Sequence, residues 1–236
     1  MEEEIWELRE AEERAVTNLV TELDISSITA RILANRGYNN PAQVRDFLDC
    51  SLDKMHDPYA FQDMKESVKR IKRAVDKGEK IVIYGDYDVD GITSTDLLMN
   101  YLAEQGGDVD FYIPNRLTEG YGLNKSALRT LAQEETELVI TVDCGIKGHE
   151  EIGLVNELGL DIIVTDHHTV PPKLPKAAAV INPKRKDSTY PFAELAGVAV
   201  AFKLVQALEL EQGAAMPTAQ DYLGLVTLGV IADIVP

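Results

Sequence analysis

From Lys80 onward the chain alternates two textures. Short runs rich in β-branched residues recur at Lys80–Tyr84, Val109–Ile113, Leu138–Val142, Asp161–Thr165 and Ala178–Ile181. Between them lie stretches with helical spacing of apolar positions, at 92–105, 124–134, 147–158, 193–211 and 218–232. Strands that alternate with helices predict right-handed βαβ units. The expected fold class is therefore α/β, a mostly parallel five-stranded sheet flanked by helices. In such sheets functional groups gather beyond the carboxyl ends of the strands.

Upstream the pattern is purely helical. Ile5, Leu8, Val16, Leu19, Val20 and Leu23 form one apolar stripe within residues 1–24, which carry nine acidic residues against Arg9 and Arg14. This reads as a helix with a solvated acidic face. A second helix is expected over 25–36, stopped by Gly37. Asn40-Pro41 provides a cap and a first-turn proline for a third helix, to Leu48. Residues 49–62 read as loop. Asp63 is expected to cap a helix to Asp76, ended by Gly78, with Met64, Val68, Ile71 and Val75 inward and Lys69, Arg70, Lys72, Arg73 and Lys77 in solvent. The chain thus divides into an N-terminal helical segment, 1–62, and an α/β domain, 63–236.

Composition sharpens this picture without changing it. Hydrophobic residues make up 45% of the 236 and charged residues 27%, an ordinary globular balance. The net charge of −17 argues against a chain-wide basic surface for duplex DNA or anionic lipid, though not against a site where cations supply the positive charge. The apolar run Leu223–Ala232 is too short to span a bilayer, and the acidic start is unlike a targeting peptide. Cys50 and Cys144 form no metal or disulfide pattern; two reduced thiols in a cytoplasmic protein are expected.

The chemistry concentrates at the strand ends. Gly85-Asp86-Tyr87-Asp88-Val89-Asp90-Gly91 follows the first run, Asp143-Cys144-Gly145 the third and Asp166-His167-His168 the fourth, while Asp233 stands in the last apolar stretch. Singly, each has an ordinary reading: an Asx turn, a cap, a loop histidine. Three alternating carboxylates after a buried strand repel one another, however, and divalent cations remove the conflict. Carboxylates with imidazole suit Mn²⁺, with Mg²⁺ and Zn²⁺ as competitors. A calcium loop is disfavoured, because the twelfth position from Asp86 is Leu97 rather than glutamate.

In order, the segments DYDVDGITST, VDCGI, VTDHH, INPK with LAGVAVAFKL, and GVIADIVP resemble the DHH phosphoesterase superfamily, and within it the RecJ-like exonucleases specific for single-stranded DNA. The likeness extends upstream through LANRGY and FLDCSLDKMHDPYAFQDM, and so covers nearly everything after about residue 25. It implies two divalent cations, typically Mn²⁺, bridged by Asp143. Asp88 would bind one, with Asp86 as a further ligand or acceptor, and Asp90, His167 and Asp233 the other. His168 is implied to meet the scissile phosphate or its leaving group, giving catalytic roles to His168 and Asp143. Tyr84 stands where many members have a metal-binding histidine, and Ala199 where a glycine is common. The resemblance also implies that this is an N-terminal fragment, without the family's later domains, and so a weak binder of single-stranded DNA.

The activity the resemblance implies is metal-dependent 5′→3′ hydrolysis of single-stranded DNA in repair and recombination, with replication or repair proteins as further partners; no membrane is expected. Ser94 (with Thr93), Arg116 and Tyr121 are candidate substrate contacts: a hydroxyl at a helix start, a phosphate-reaching cation, and a ring on which a base can stack. Their ordinary readings are capping and a surface loop. Lys184, Arg185 and Lys186 read as solvated surface. Rival functions are the other superfamily chemistries on pyrophosphate, short RNA or cyclic dinucleotides, a silent replication scaffold, and an aspartyl-phosphate phosphatase, which would need no histidine pair.

Overall fold

The structure is a computed structural model that describes residues 9–49, 51–213 and 219–235. Ile5, Leu8 and Cys50 lie outside the described residues. The chain forms two compact units, one ending at Met55 and one starting at His56.

Among the described residues the first unit holds three α-helices, α1 (Glu13–Leu23), α2 (Ser27–Asn35) and α3 (Pro41–Leu48). Val16, Leu19, Ala30, Leu33, Ala34 and Val44 make its small core. The Ser26 hydroxyl caps α2 and the Asn40 side chain caps α3, ahead of Pro41. Residues 9–12 are irregular, so α1 begins later than the apolar stripe suggested.

The second unit is built on five parallel strands, β1 (Ile81–Tyr84), β2 (Val109–Tyr112), β3 (Leu138–Val142), β4 (Asp161–Thr165) and β5 (Ala179–Ile181), in the order β2-β1-β3-β4-β5. The interior strands are apolar on both sides, as a sheet covered on both faces requires. Ile81 and Ile83 of β1 with Leu138, Ile140 and Val142 of β3 pack with α4 (Met64–Lys77), α5 (Val89–Glu104) and α8 (Gly197–Glu211), and α9 (Leu223–Asp233) packs against that layer. Val82, Tyr84, Val139, Ile162 and Val164 face α6 (Lys125–Gln133) and α7 (His149–Glu157). The chain leaves β1 for one edge and returns to β3 on the other side. The crevice between the carboxyl ends of β1 and β3 is therefore the topological switch point, where such sheets bind ligands.

Three charged residues depart from the sequence expectation, all through long-range pairing. Asp63 precedes α4 in a left-handed conformation, φ 60°, and makes no capping bond. Its carboxylate instead accepts from Val180 N–H at 3.1 Å and from Arg185 at 2.6 Å. Arg185 is buried rather than solvated, and also bonds the Val180 carbonyl and Asp187. Arg70, expected on the solvated face of α4, pairs with Glu79 and Asp161 beside the amino ends of the strands. Arg185→Ala should destabilise the protein by about 2 kcal/mol, because it strands Asp63 and a buried carbonyl. Urea unfolding measures this, and a midpoint unchanged from wild type would refute it.

Among the described residues no helix is long and apolar enough to cross a membrane.

Candidate metal centre

The loop after β1 turns straight into α5. Asp88 caps that helix, its Oδ1 accepting from Gly91 N–H at 2.9 Å. The capping role is thus real, and it leaves the exposed carboxylate a second oxygen. Asp86 is buried, and its Oδ1 accepts from Tyr87 N–H. Asp90, in the first turn of α5, accepts from Gly197 N–H at 2.6 Å and Val198 N–H at 2.7 Å, the opening residues of α8. Burial raises the carboxyls of Asp86 and Asp90 above the usual range, despite these backbone donors.

Asp143 follows β3 directly, in a left-handed conformation with φ 58°. Its side chain is 2% exposed. Burial pushes its carboxyl up to about 10, and the negative charges of Asp90 and Asp88 add to the effect. Its Oδ1 lies 3.0 Å from His167 Nε2 but has no hydrogen-bond partner, and buried His167 Nδ1 has none either. That nitrogen is 3.7 Å from Asp233 Oδ2 at the end of α9, and Nε2 is 3.7 Å from Asp90 Oδ2.

Three ligand groups follow, each with donor atoms within 4.8 Å of one another: Asp86, Asp88 and Asp143; Asp143, His167 and His168; and Asp90, His167 and Asp233. Asp143 and His167 each belong to two groups. All seven residues named from sequence as metal or catalytic candidates are brought together. Buried oxygen and nitrogen donors without partners, among crowded carboxylates, fit hard or borderline divalent cations.

The second histidine is held differently. Asp166 Oδ1 accepts from the His168 backbone N–H at 2.9 Å and lies 2.8 Å from its Nδ1. The hydrogen bond to Asp166 raises the His168 pKa above the ordinary histidine value. Burial opposes ionisation of Asp166, but the bonds and charge of His168, with the backbone N–H of Ile146, outweigh it and lower its pKa. Asn182 of the INPK segment donates to the His168 carbonyl at 3.0 Å. The sequence presents Asp166 only within the strand-end triplet and Asn182 only within the INPK segment, with no role of its own for either. The Asp-x-His spacing was the available signal for the first, and there was none for the second.

The three substrate candidates are placed apart. Ser94 is fully buried and donates to the Asp90 carbonyl at 2.6 Å, while Thr93 donates to Val89, so neither hydroxyl is presented to solvent as a helix-start donor. Arg116 is exposed on the 114–122 loop, its guanidinium 5.3 Å from the centre of the Tyr87 ring. Tyr121, on the same loop, has its hydroxyl 3.3 Å from His168 Nδ1.

The "DHH family, N-terminal domain" matches residues 80–230. Among curated proteins, the single-stranded-DNA-specific exonuclease RecJ of Bacillus subtilis is 44% identical over 98% of this chain, and that of Escherichia coli 34% identical over 98%. The chain spans only 29% and 41% of the length of these two relatives. The solved structure of RecJ in complex with Mn²⁺ from Thermus thermophilus superposes with a TM-score of 0.78 and 30% identity, over 97% of this chain and 32% of that one. With the strand-end aspartates and the Asp166-His167-His168 triplet lying inside the matched region, this chain belongs to the DHH family.

Proposed function

We propose that residues 63–236 form the catalytic part of a divalent-metal-dependent phosphodiesterase, with 1–62 as a helical appendage. In this reading it removes nucleotides from the 5′ end of single-stranded DNA during repair and recombination in the cytoplasm. One observation carries the proposal: Asp143 Oδ1 and His167 Nδ1 are buried and unpartnered where three carboxylate–imidazole groups overlap. The likeness to RecJ proteins named for single-strand specificity supports the choice of substrate.

Asp143 would be shared between two ions, with Asp86 and Asp88 on one side and Asp90, His167 and Asp233 on the other. Bound Mn²⁺ or Mg²⁺ supplies what the acidic site lacks, a water of lowered pKa and neutralised phosphate oxygens. The chain's own contribution is placement. Gly197 and Val198 N–H fix Asp90, and the Asp88 cap fixes the first loop. Asp166 occupies His168 Nδ1 and favours the imidazolium, which would give a proton to the departing 3′-oxygen.

The test compares 5′-labelled single-stranded DNA, duplex DNA, short RNA and pyrophosphate, each with Mn²⁺ and with chelator. Metal-dependent release of mononucleotides from the single strand, at least about tenfold faster than from duplex, is expected. Faster hydrolysis of pyrophosphate or short RNA would move the assignment to those chemistries, and no hydrolysis of any phosphoester would revive the scaffold reading.

A further inference from the structure

Tyr84 fills the β1 position where a metal-binding histidine is common in the superfamily, and the structure gives it other work. It is fully buried, and its ring lies 5.1 Å from that of Tyr112. Its hydroxyl donates to the Gly122 carbonyl at 3.2 Å. Gly120 and Gly122 both take positive φ, 81° and 82°, so this stretch has unusual backbone freedom unless anchored. A second anchor lies earlier in the loop, where Glu119 accepts from the Tyr112 hydroxyl at 2.5 Å and from Asn115 N–H at 2.8 Å.

Between the two glycines stands Tyr121. Its hydroxyl lies 3.3 and 3.4 Å from the His168 ring nitrogens and 3.4 Å from the Asp143 carbonyl oxygen, and the two rings meet edge to face at 5.8 Å. His168 is otherwise tied by Asp166 at one nitrogen and by Asn182 at its backbone, and its side chain is 38% exposed. The Tyr121 hydroxyl thus meets the imidazole almost equidistant from its two nitrogens, as a further contact beside the Asp166 bond at Nδ1.

We infer that Tyr84 and Tyr121 are positioning residues for His168, Tyr84 setting the loop and Tyr121 holding the imidazole through its hydroxyl, so that Tyr121 is not a stacking platform for a base. The inference deepens the phosphodiesterase reading and rests on it for its kinetic consequences. A stacking tyrosine needs only its ring, whereas a positioning tyrosine needs its oxygen.

Tyr121→Phe, Tyr121→Leu and Tyr84→Phe separate the two roles. With Mn²⁺ and labelled single-stranded DNA, both phenylalanine variants should lose about tenfold or more in kcat, with KM and Mn²⁺ affinity unchanged. Tyr121→Leu should resemble Tyr121→Phe. A Tyr121→Phe enzyme with wild-type kcat, beside a Tyr121→Leu enzyme with raised KM, would overturn the inference in favour of stacking. Imidazole ¹⁵N–¹H spectra of the metal-free protein provide a readout independent of activity. The His168 signals should shift in both phenylalanine variants while those of His56 and His149 stay. Unchanged His168 signals would overturn the inference even in an active enzyme. Shifted signals in a protein that hydrolyses nothing would uphold the positioning while rejecting the proposed function.

Discussion

Asp143→Asn is expected to cut hydrolysis by on the order of a thousandfold or more while making the metal-free protein more stable at neutral pH. Asparagine keeps the size and tolerates the left-handed conformation that Asp143 adopts, so the fold has no reason to fail. What it loses is the charge that the overlapping ligand groups share. The stability gain follows from linkage. The Asp143 carboxyl is raised in the folded protein to about 10, well above its unfolded value of about 4. A group raised on folding stabilises fully below its unfolded pKa, and that stability drains away as pH climbs toward the folded pKa. Metal-free wild type should therefore melt at steadily lower temperature between pH 5 and pH 9, and the asparagine variant more flatly. The His168 imidazolium loses its stabilising bond over part of the same range, and because its ring nitrogen lies 3.9 Å from Asp143 Oδ1 the difference between the two proteins reports Asp143 together with its effect on His168. At pH 7 the variant should be the more stable of the two in chelator, and Mn²⁺ should reverse the order by stabilising only the wild type. Thermal unfolding across pH, with and without Mn²⁺, measures both. Equal Mn²⁺ stabilisation of the two proteins would remove Asp143 from the centre.

The sheet and the metal candidates were legible because both are written locally. Each β-branched run is a strand within a residue of its expected ends, and in all but the edge strand β2 the cover on two faces leaves little room for polar residues. Asp86 and Asp143 stand out because each interrupts the chain just after such a strand stops. Residues whose role depends on a distant partner were not legible. Asp63 looked like a helix cap until β5 brought Arg185 to it, and Arg70 looked solvated until Glu79 and Asp161 closed on it. Nothing in the INPK segment announces that its asparagine supports a histidine fourteen positions earlier. Ser94 shows the opposite failure: a hydroxyl well placed by sequence turns into its own helix and satisfies the Asp90 carbonyl.

The LAGVAVAFKL segment carries the same lesson to a testable end. Sequence comparison drew attention to Ala199, but the constrained position is Gly197, two residues earlier. Gly197 opens α8 and donates its N–H to Asp90, and a Cβ built on it would lie 2.7 Å from the Asp143 Cβ and 2.8 Å from Oδ1. The first of those atoms sits next to the backbone, so the clash cannot be relieved by swinging a flexible tip. Either α8 backs away and stretches its bonds to Asp90, or Asp143 turns from the position that makes it common to two ligand groups. Turning the Asp143 side chain leaves its Cβ in place, so the second route needs the backbone at Asp143 to shift and carry the carboxylate with it, while bonds at 2.6 and 2.7 Å hold α8 to Asp90 against the first. Gly197→Ala should therefore keep its secondary structure and most of its stability, yet lose Mn²⁺ affinity by about tenfold or more and hydrolysis by about a hundredfold, the usual consequence of misplacing a reacting group by about an ångström. Ala199→Gly, on the same helix but away from that contact, should leave Mn²⁺ affinity as it is. Calorimetric Mn²⁺ titration of the two variants beside wild type decides the matter: undiminished binding by Gly197→Ala would mean that Asp143 has more room than the packing of α8 allows, and the shared-carboxylate geometry would have to be given up.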